Sequence, residues 1–305
     1  MRHLLDLNTL ELEIPRKIVD MAKLYKTKER GLAHGAPLLG RTLGMIFEKP
    51  STRTRVSFEV AMTELGGSAI FLDASSMQLG RGETIEDTAK VLGRYIDGIM
   101  LRAIKHETLV QMSESAEIPV INGLTDMSHP CQALADIMTF EENIGPIREK
   151  KIAWLGDGNN VANSWIHAAA IFGFEFCLAC PKSRLPSSTA LNWSKENGAK
   201  IEVTDDPALA TKNANAILTD TWISMGEKFS GNPKNIFAKF RVDEKIMKNA
   251  AGDAIFMHCL PAHRGQEVTS EVIDGKQSVV WEEAENRLHI QKAILTWSLA
   301  GKNTI

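Results

Sequence analysis

Four cysteines in a chain of 305 residues are too few for a disulfide scaffold. Stability must come from a hydrophobic core, and a reducing compartment is expected. No apolar run approaches the roughly 18 residues that a spanning helix needs. The chain also lacks an excess of either charge. A net charge of −3 gives no reason to expect nucleic acid or a membrane surface as partner. The first residues, Met1-Arg2-His3-Leu4-Leu5-Asp6, have an early acid and no signal-peptide core, so a cytoplasmic location is expected. No repeat relates the two halves, and no carboxylate cluster suggests magnesium. What remains, 44% apolar and 24% charged residues, is the composition of an ordinary soluble globular protein. A chain this long predicts two domains of about 150 residues each.

The stretch that organises the rest is residues 48–59, Glu-Lys-Pro-Ser-Thr-Arg-Thr-Arg-Val-Ser-Phe-Glu. Before it, 42–47 reads as a short buried strand. After it, Phe58, Ala61, Met62 and Leu65 recur at helical spacing. Ser51, Thr52, Arg53, Thr54 and Arg55 therefore sit at a strand-to-helix turn, where Ser and Thr are good N-caps. A helix start presents unpaired N–H groups and partial positive charge. With hydroxyls and a guanidinium added, the turn suits a phosphate or carboxylate. The plainer reading is a capped helix with solvated arginines.

Along the chain, helix composition over 15–29 has Pro15 in its first turn. Strands are expected at 68–72, 98–102 and 119–122, with helices at 84–95, 107–116 and from Pro130 to about Glu142. A glycine-bearing polar loop runs from Asp73 to Glu83. A polar break at 143–150 marks the expected domain boundary. Strands then follow at 151–155, 174–179, 200–203, 214–218 and 254–257, with a last helix from about Glu282. The expected domains are 1–145, 146–285 and a C-terminal helix, 286–305, packing back on the first. Alternating strands and helices predict an α/β fold of two doubly wound parallel sheets with a cleft. The polar clusters 51–55, 102, 129–132, 157–160, 219–226 and 258–264 all fall after strands, where such sheets bind ligands.

Arg102 closes an apolar strand and is placed to reach a ligand or simply to be solvated. His129-Pro130-Cys131-Gln132 offers imidazole and amide in one helical turn. Gly156-Asp157-Gly158-Asn159-Asn160-Val161 invites a dinucleotide reading but fails it. Its third glycine position is Val161, and no acid for a ribose ends the next strand at 178–181. Asn159 and Asn160 could hold a polar substrate or cap the helix. Cys177 and Cys180 point to opposite faces of a strand, which favours core packing over zinc. Asp220 could bind an amine. Cys259 could be a nucleophile with His258 or His263, although His258, its strand neighbour, points the other way.

Taken together, Ser51-Thr52-Arg53-Thr54-Arg55, His129-Pro130-Cys131-Gln132, Asp220 with Ser224-Met225-Gly226, and His258-Cys259-Leu260-Pro261 resemble the ornithine carbamoyltransferases. The motifs come in that family's order and span most of the chain. Aspartate carbamoyltransferases share the first motif but usually have Thr at the position of Cys131 and His-Pro-Leu-Pro-Arg at 258–262. Putrescine and N-acetylornithine carbamoyltransferases lack the Ser-Met-Gly loop. The resemblance implies carbamoyl transfer to ornithine, with no cofactor or metal. It assigns the phosphate to Ser51, Thr52, Arg53, Thr54 and Gln78. It assigns the carbamoyl group to Arg102, His129 and Gln132, with Cys259, Leu260 and Arg287 bordering it from the second half. Ornithine would fall to Asn160, Asp220, Ser224 and Met225. Arg102, His129, Asp220 and Cys259 would be catalytic, and Arg55 would brace the turn. A homotrimer and arginine biosynthesis are implied as well, and closure of the cleft driven by the 224–230 loop after ornithine binds is expected. Another amine acceptor, or an anion-binding paralogue without turnover, would share the first-half motifs.

Overall fold

A computed structural model describes residues 1–27, 35–78, 82–224, 227 and 229–301. The chain divides into two compact units, residues 1–135 with 286–305, and residues 136–285.

In the first unit Ile14–Lys26 forms α1, Thr42–Phe47 β1, Thr52–Glu64 α2 and Ser68–Asp73 β2. Ile85–Leu92 (α3), Gly98–Arg102 (β3), His106–Ser115 (α4) and Val120–Leu124 (β4) follow. The strands make one four-stranded sheet in the order β2-β1-β3-β4, parallel throughout. β1 and β3 are almost wholly buried, as strands covered on both faces must be, which explains their unbroken apolar runs. Under α2 the stripe Phe58, Ala61, Met62 and Leu65 is fully buried. β2 is an edge strand, and Ile70 and Phe71 on it are exposed.

Pro130–Asn143 (α5) leads into the second unit, and the division falls inside it, between Ala135 and Asp136. The polar break at 143–150 was the expected boundary. That break begins where α5 ends, eight residues beyond the division.

The second unit is built from Lys151–Leu155 (β5), Asn160–Phe172 (α6), Glu175–Ala179 (β6), Ser188–Glu196 (α7), Lys200–Thr204 (β7), Pro207–Thr211 (α8) and Ala216–Thr219 (β8). The short helices Lys234–Phe237 (α9) and Glu244–Asn249 (α10) precede Ile255–His258 (β9), and Ser270–Ile273 (α11) follows it. Its five strands run in the order β7-β6-β5-β8-β9, again all parallel. Val280–Leu299 forms α12. From Asn286 onward it belongs to the first unit, and Ile290, Ala293, Ile294 and Trp297 are buried.

In each sheet the strand order reverses once, between β1 and β3 and between β5 and β8. A crevice opens at such a switch point, beyond the carboxyl ends of the strands. The candidate residues fall at these two places.

Candidate active site

In the first unit the turn after β1 begins α2. Ser51 is its N-cap, accepting from the Thr54 N–H at 3.3 Å through Oγ. Thr54 is buried, whereas Thr52 and Arg53 are exposed at the helix start. Arg102 ends β3 across the switch point and is buried. Its carbonyl accepts from Glu48 N–H at 2.9 Å. The Glu48 carboxylate in turn accepts from Ile104 N–H at 2.6 Å. These two bonds clamp the β3 exit to the β1 exit.

His129 sits at the start of α5. Thr125 shapes the turn before it, its Oγ accepting from the N–H groups of Met127 and Ser128. Asn122 donates to Ser128 Oγ at 3.0 Å and accepts the Cys131 thiol at 3.3 Å through its carbonyl. Burial, and then the charges of Arg287, Arg102 and Arg53, hold the His129 imidazole well below its ordinary range. At neutral pH it is uncharged and able to donate or accept one hydrogen bond at each nitrogen. Burial pushes the Cys131 thiol up to about 12, so Cys131 is a packing residue.

Arg287 completes the group. It lies on α12, whose residues from Asn286 onward belong to the first unit. There it is buried, donating to Gln132 Oε1 at 2.5 Å and to Thr54 Oγ at 3.4 Å. Three guanidinium groups, a neutral imidazole and the hydroxyls of one helix start thus meet in one unit, a set suited to a multiply charged oxyanion. Gln78 is exposed, its carbonyl accepting from Glu83 N–H. Arg55 braces the edge strand rather than the turn, its guanidinium 3.9 Å over the Phe71 ring.

In the second unit Asp220 follows β8. Its carboxylate accepts from Asn159 Nδ2 at 2.8 Å, Thr221 N–H at 2.7 Å and Cys259 Sγ at 3.2 Å. The donors come from the exits of β5, β8 and β9, which are neighbours in the sheet. Asn159 is also the N-cap of α6, accepting from the N–H groups of Val161 and Ala162. Sequence reasoning considered Asn159 only as a cap or substrate contact and missed its bond to Asp220. Asn160 and Ser224 lie nearby in the chain and are half-buried. Met225 and Gly226 lie outside the described residues.

Cys259 is not poised as a nucleophile. Burial first, and then the Asp220 charge, push its thiol well above the ordinary range, so it is a protonated S–H donor. His258 is no base for it. Its Nδ1 accepts from Leu260 N–H at 2.9 Å, and its Nε2 faces the buried Glu267 at 3.4 Å. His263 also turns toward Glu267. Leu260 holds a left-handed φ of 56°, a conformation uncommon for a non-glycine residue and frequent at functional sites. Among the described residues, Asp220, His258 and Cys259 could present ligand atoms within 4.8 Å of one another to a metal ion. Both His258 nitrogens are already engaged, so the trio reads as a hydrogen-bond network.

The glycines at 156–158 have a structural cause. A Cβ on Gly158 would come within 2.2 Å of the Pro186 nitrogen. The fingerprint-like spacing reflects this backbone approach and not a dinucleotide site. Cys177 and Cys180 are buried, and burial raises their thiols to about 11 and about 12.

Two parallel-sheet units, one with an arginine-rich cluster suited to an anion and one with a donor-ringed carboxylate, each at a switch point, make an α/β fold of the class whose enzymes take small polar substrates at such points. Residues 2–142 match the carbamoyl-P binding domain, and residues 148–298 the Asp/Orn binding domain, of aspartate/ornithine carbamoyltransferases. The chain belongs to the aspartate/ornithine carbamoyltransferase family. It is 53% identical over 298 residues to the ornithine carbamoyltransferase of Rhizobium meliloti (strain 1021), with 98% of each chain covered. Ornithine carbamoyltransferase from Pyrococcus furiosus superposes with a TM-score of 0.92 at 47% identity, covering 98% of this chain and 97% of that one. The anabolic ornithine carbamoyltransferase from Campylobacter jejuni gives a TM-score of 0.90 at 42% identity, covering 97% and 99%. Within the family the chain groups with the enzymes that carry this name.

Proposed function

We propose that this chain transfers the carbamoyl group of carbamoyl phosphate to the δ-amine of L-ornithine, giving L-citrulline and phosphate. The observation that carries this reading is the first-unit cluster of Arg53, Arg102, Arg287, neutral His129 and the Ser51–Thr54 turn. In this reading Ser51, Thr52, Arg53 and Thr54 hold the phosphate, and Gln78 joins them. Arg102, His129 and Gln132 address the carbamoyl group, with Arg287, Cys259 and Leu260 bordering it. Asn160, Asp220, Ser224 and Met225 hold ornithine.

The chemistry suits these residue types. The neutral δ-amine attacks the carbamoyl carbon, and the carbonyl oxygen takes up negative charge. Arg102, His129 and the Thr54 hydroxyl are donors for that oxyanion, each typically worth about 3–4 kcal/mol in such sites. Collapse of the tetrahedral adduct breaks the carbon–oxygen bond to phosphate. The electron pair leaves with phosphate, which also takes the surplus amine proton. Asp220 attracts and orients the amine, and the protonated Cys259 thiol keeps one Asp220 oxygen engaged.

The biosynthetic direction is supported by likeness to the anabolic enzyme of Campylobacter jejuni. A homotrimer is supported by the exposed edge strand β2 with Ile70 and Phe71, an apolar edge that a neighbouring subunit would cover. Among the described residues no helix is long and apolar enough to cross a membrane, which accords with a cytoplasmic enzyme. The test is ureido-product formation from carbamoyl phosphate with ornithine, N-acetylornithine, putrescine and aspartate in parallel. Ornithine should give by far the highest kcat/KM. Preference for another amine would overturn the acceptor assignment.

A further inference from the structure

Arg184 has no part in the reading above, and its surroundings are unusual. It lies in the loop between β6 and α7, and its backbone is fixed at both ends. Its N–H donates to Pro181 O at 2.8 Å, and its carbonyl accepts from Gly158 N–H at 2.9 Å. From this platform its side chain forks. Nε and Nη2 donate to the two oxygens of Asp157 at 2.8 and 2.9 Å. Nη1 and Nη2 donate to the two oxygens of Glu227 at 2.7 and 2.9 Å. Such paired forks are the strongest and most directional ion contacts that side chains make.

The two carboxylates belong to different substrate-facing segments. Asp157 is in the turn that continues to Asn159 and Asn160. Glu227 is tied to Ser224, its N–H donating to Ser224 O at 3.0 Å. We propose that Arg184 is a positioning residue for the amine substrate, one guanidinium setting the spacing between the Asp157–Asn160 turn and the backbone at Ser224 and Glu227. This rests on the proposed ornithine site. Asp157 supplies the buried anchor, since its side chain is only 8% exposed. Glu227 supplies the releasable end at 33%. The Asp157 end holds Arg184 in place when Glu227 lets go.

Glu227→Gln tests this without disturbing the buried end. The KM for ornithine should rise about threefold to tenfold, the effect of one half-exposed bidentate pair. The kcat, the Kd for carbamoyl phosphate and the Tm should stay near wild type. Added salt should raise the wild-type KM for ornithine more steeply than that of Glu227→Gln, which keeps the Asp220 attraction but has no Arg184–Glu227 pair to screen, a signature that a merely structural role lacks. Arg184→Ala combined with Glu227→Ala should raise the KM no more than the stronger single change. Wild-type turnover of ornithine with an unchanged KM in Glu227→Gln overturns the positioning role alone, as do equal losses for both substrates. Absence of ornithine turnover in the wild type overturns the site assignment and the positioning role together.

Discussion

Changing Asp220 to asparagine alters one atom, and the structure says where that atom matters. One carboxylate oxygen accepts from both Thr221 N–H and the Cys259 thiol. The amide carbonyl of Asn can take over there. The new NH2 group then faces Asn159 Nδ2, which now donates to Asp220 at 2.8 Å, so donor meets donor. Asn159 cannot turn over to help, because its carbonyl oxygen caps α6 at Val161 and Ala162. The change removes one hydrogen bond to a charged acceptor, worth about 1.5–3 kcal/mol. At about 2 kcal/mol the Tm should fall by about 4–8 °C for a domain of this size. The charge that attracts the ammonium of ornithine is lost as well. A similar free energy applied to binding raises the ornithine KM roughly tenfold to a hundredfold. Carbamoyl phosphate should bind nearly as before, because its candidate groups at 51–54, 102, 129 and 287 belong to the other unit and the asparagine carbonyl still accepts from the bordering Cys259. Initial rates of citrulline formation, calorimetric titration with carbamoyl phosphate and thermal melting read the three quantities. Equal loss for both substrates would refute the reasoning, and so would an unchanged ornithine KM.

Arg53→Ala should weaken phosphate binding at least tenfold by calorimetry and leave the Tm unchanged, since Arg53 is exposed at the helix start; unaltered affinity would remove it from the site. Cys259 should resist iodoacetamide at pH 7–8. Its thiol is held above the ordinary range by burial and Asp220, so the thiolate fraction, and with it the labelling rate, should climb only at higher pH than for a free thiol near pKa ~8.5. Removing the Asp220 charge should shift that profile to lower pH, and mass-spectrometric labelling rates of the wild type and Asp220→Asn against pH check both statements. Phe58→Ala should cost about 3–5 kcal/mol in denaturant unfolding, because Phe58 is fully buried beneath α2.

Both sheets were legible in the sequence because their central strands β1, β3, β5 and β8 are nearly continuous apolar runs, the mark of parallel strands covered on two faces, whereas the edge strands β2 and β7 are largely exposed. The Ser51 cap was legible from residue type and position. So was the gathering of polar clusters at strand ends, since alternating strands and helices force every β-to-α turn to one edge. What escaped are pairings between loops that carry no period. The bond from Asn159 to Asp220 spans 61 positions. The contact of Arg287 with Thr54 spans 233. The fork from Arg184 to Asp157 and Glu227 joins charges that look like solvated surface in the linear chain. Strand alternation already made His258 a poor base for Cys259, but nothing in the sequence announces Glu267, which is fully buried and faces the ring at 3.4 Å. The glycines at 156 and 158 resembled a nucleotide motif because a positive φ at Gly156 and a close backbone approach at Gly158 each demand glycine whatever the site binds.

The first unit is assembled from two pieces of chain separated by the whole second unit. A ribosome therefore completes the second unit before it delivers the last part of the first. Residues 1–135 must wait, with Ile290, Ala293 and Ile294 still unmade and the core positions they fill still empty. The usual order of synthesis, in which the leading domain folds first, is inverted here. Arg287 is among the last site groups to be made, so a nascent chain cannot acquire its full anion site until the final helix emerges.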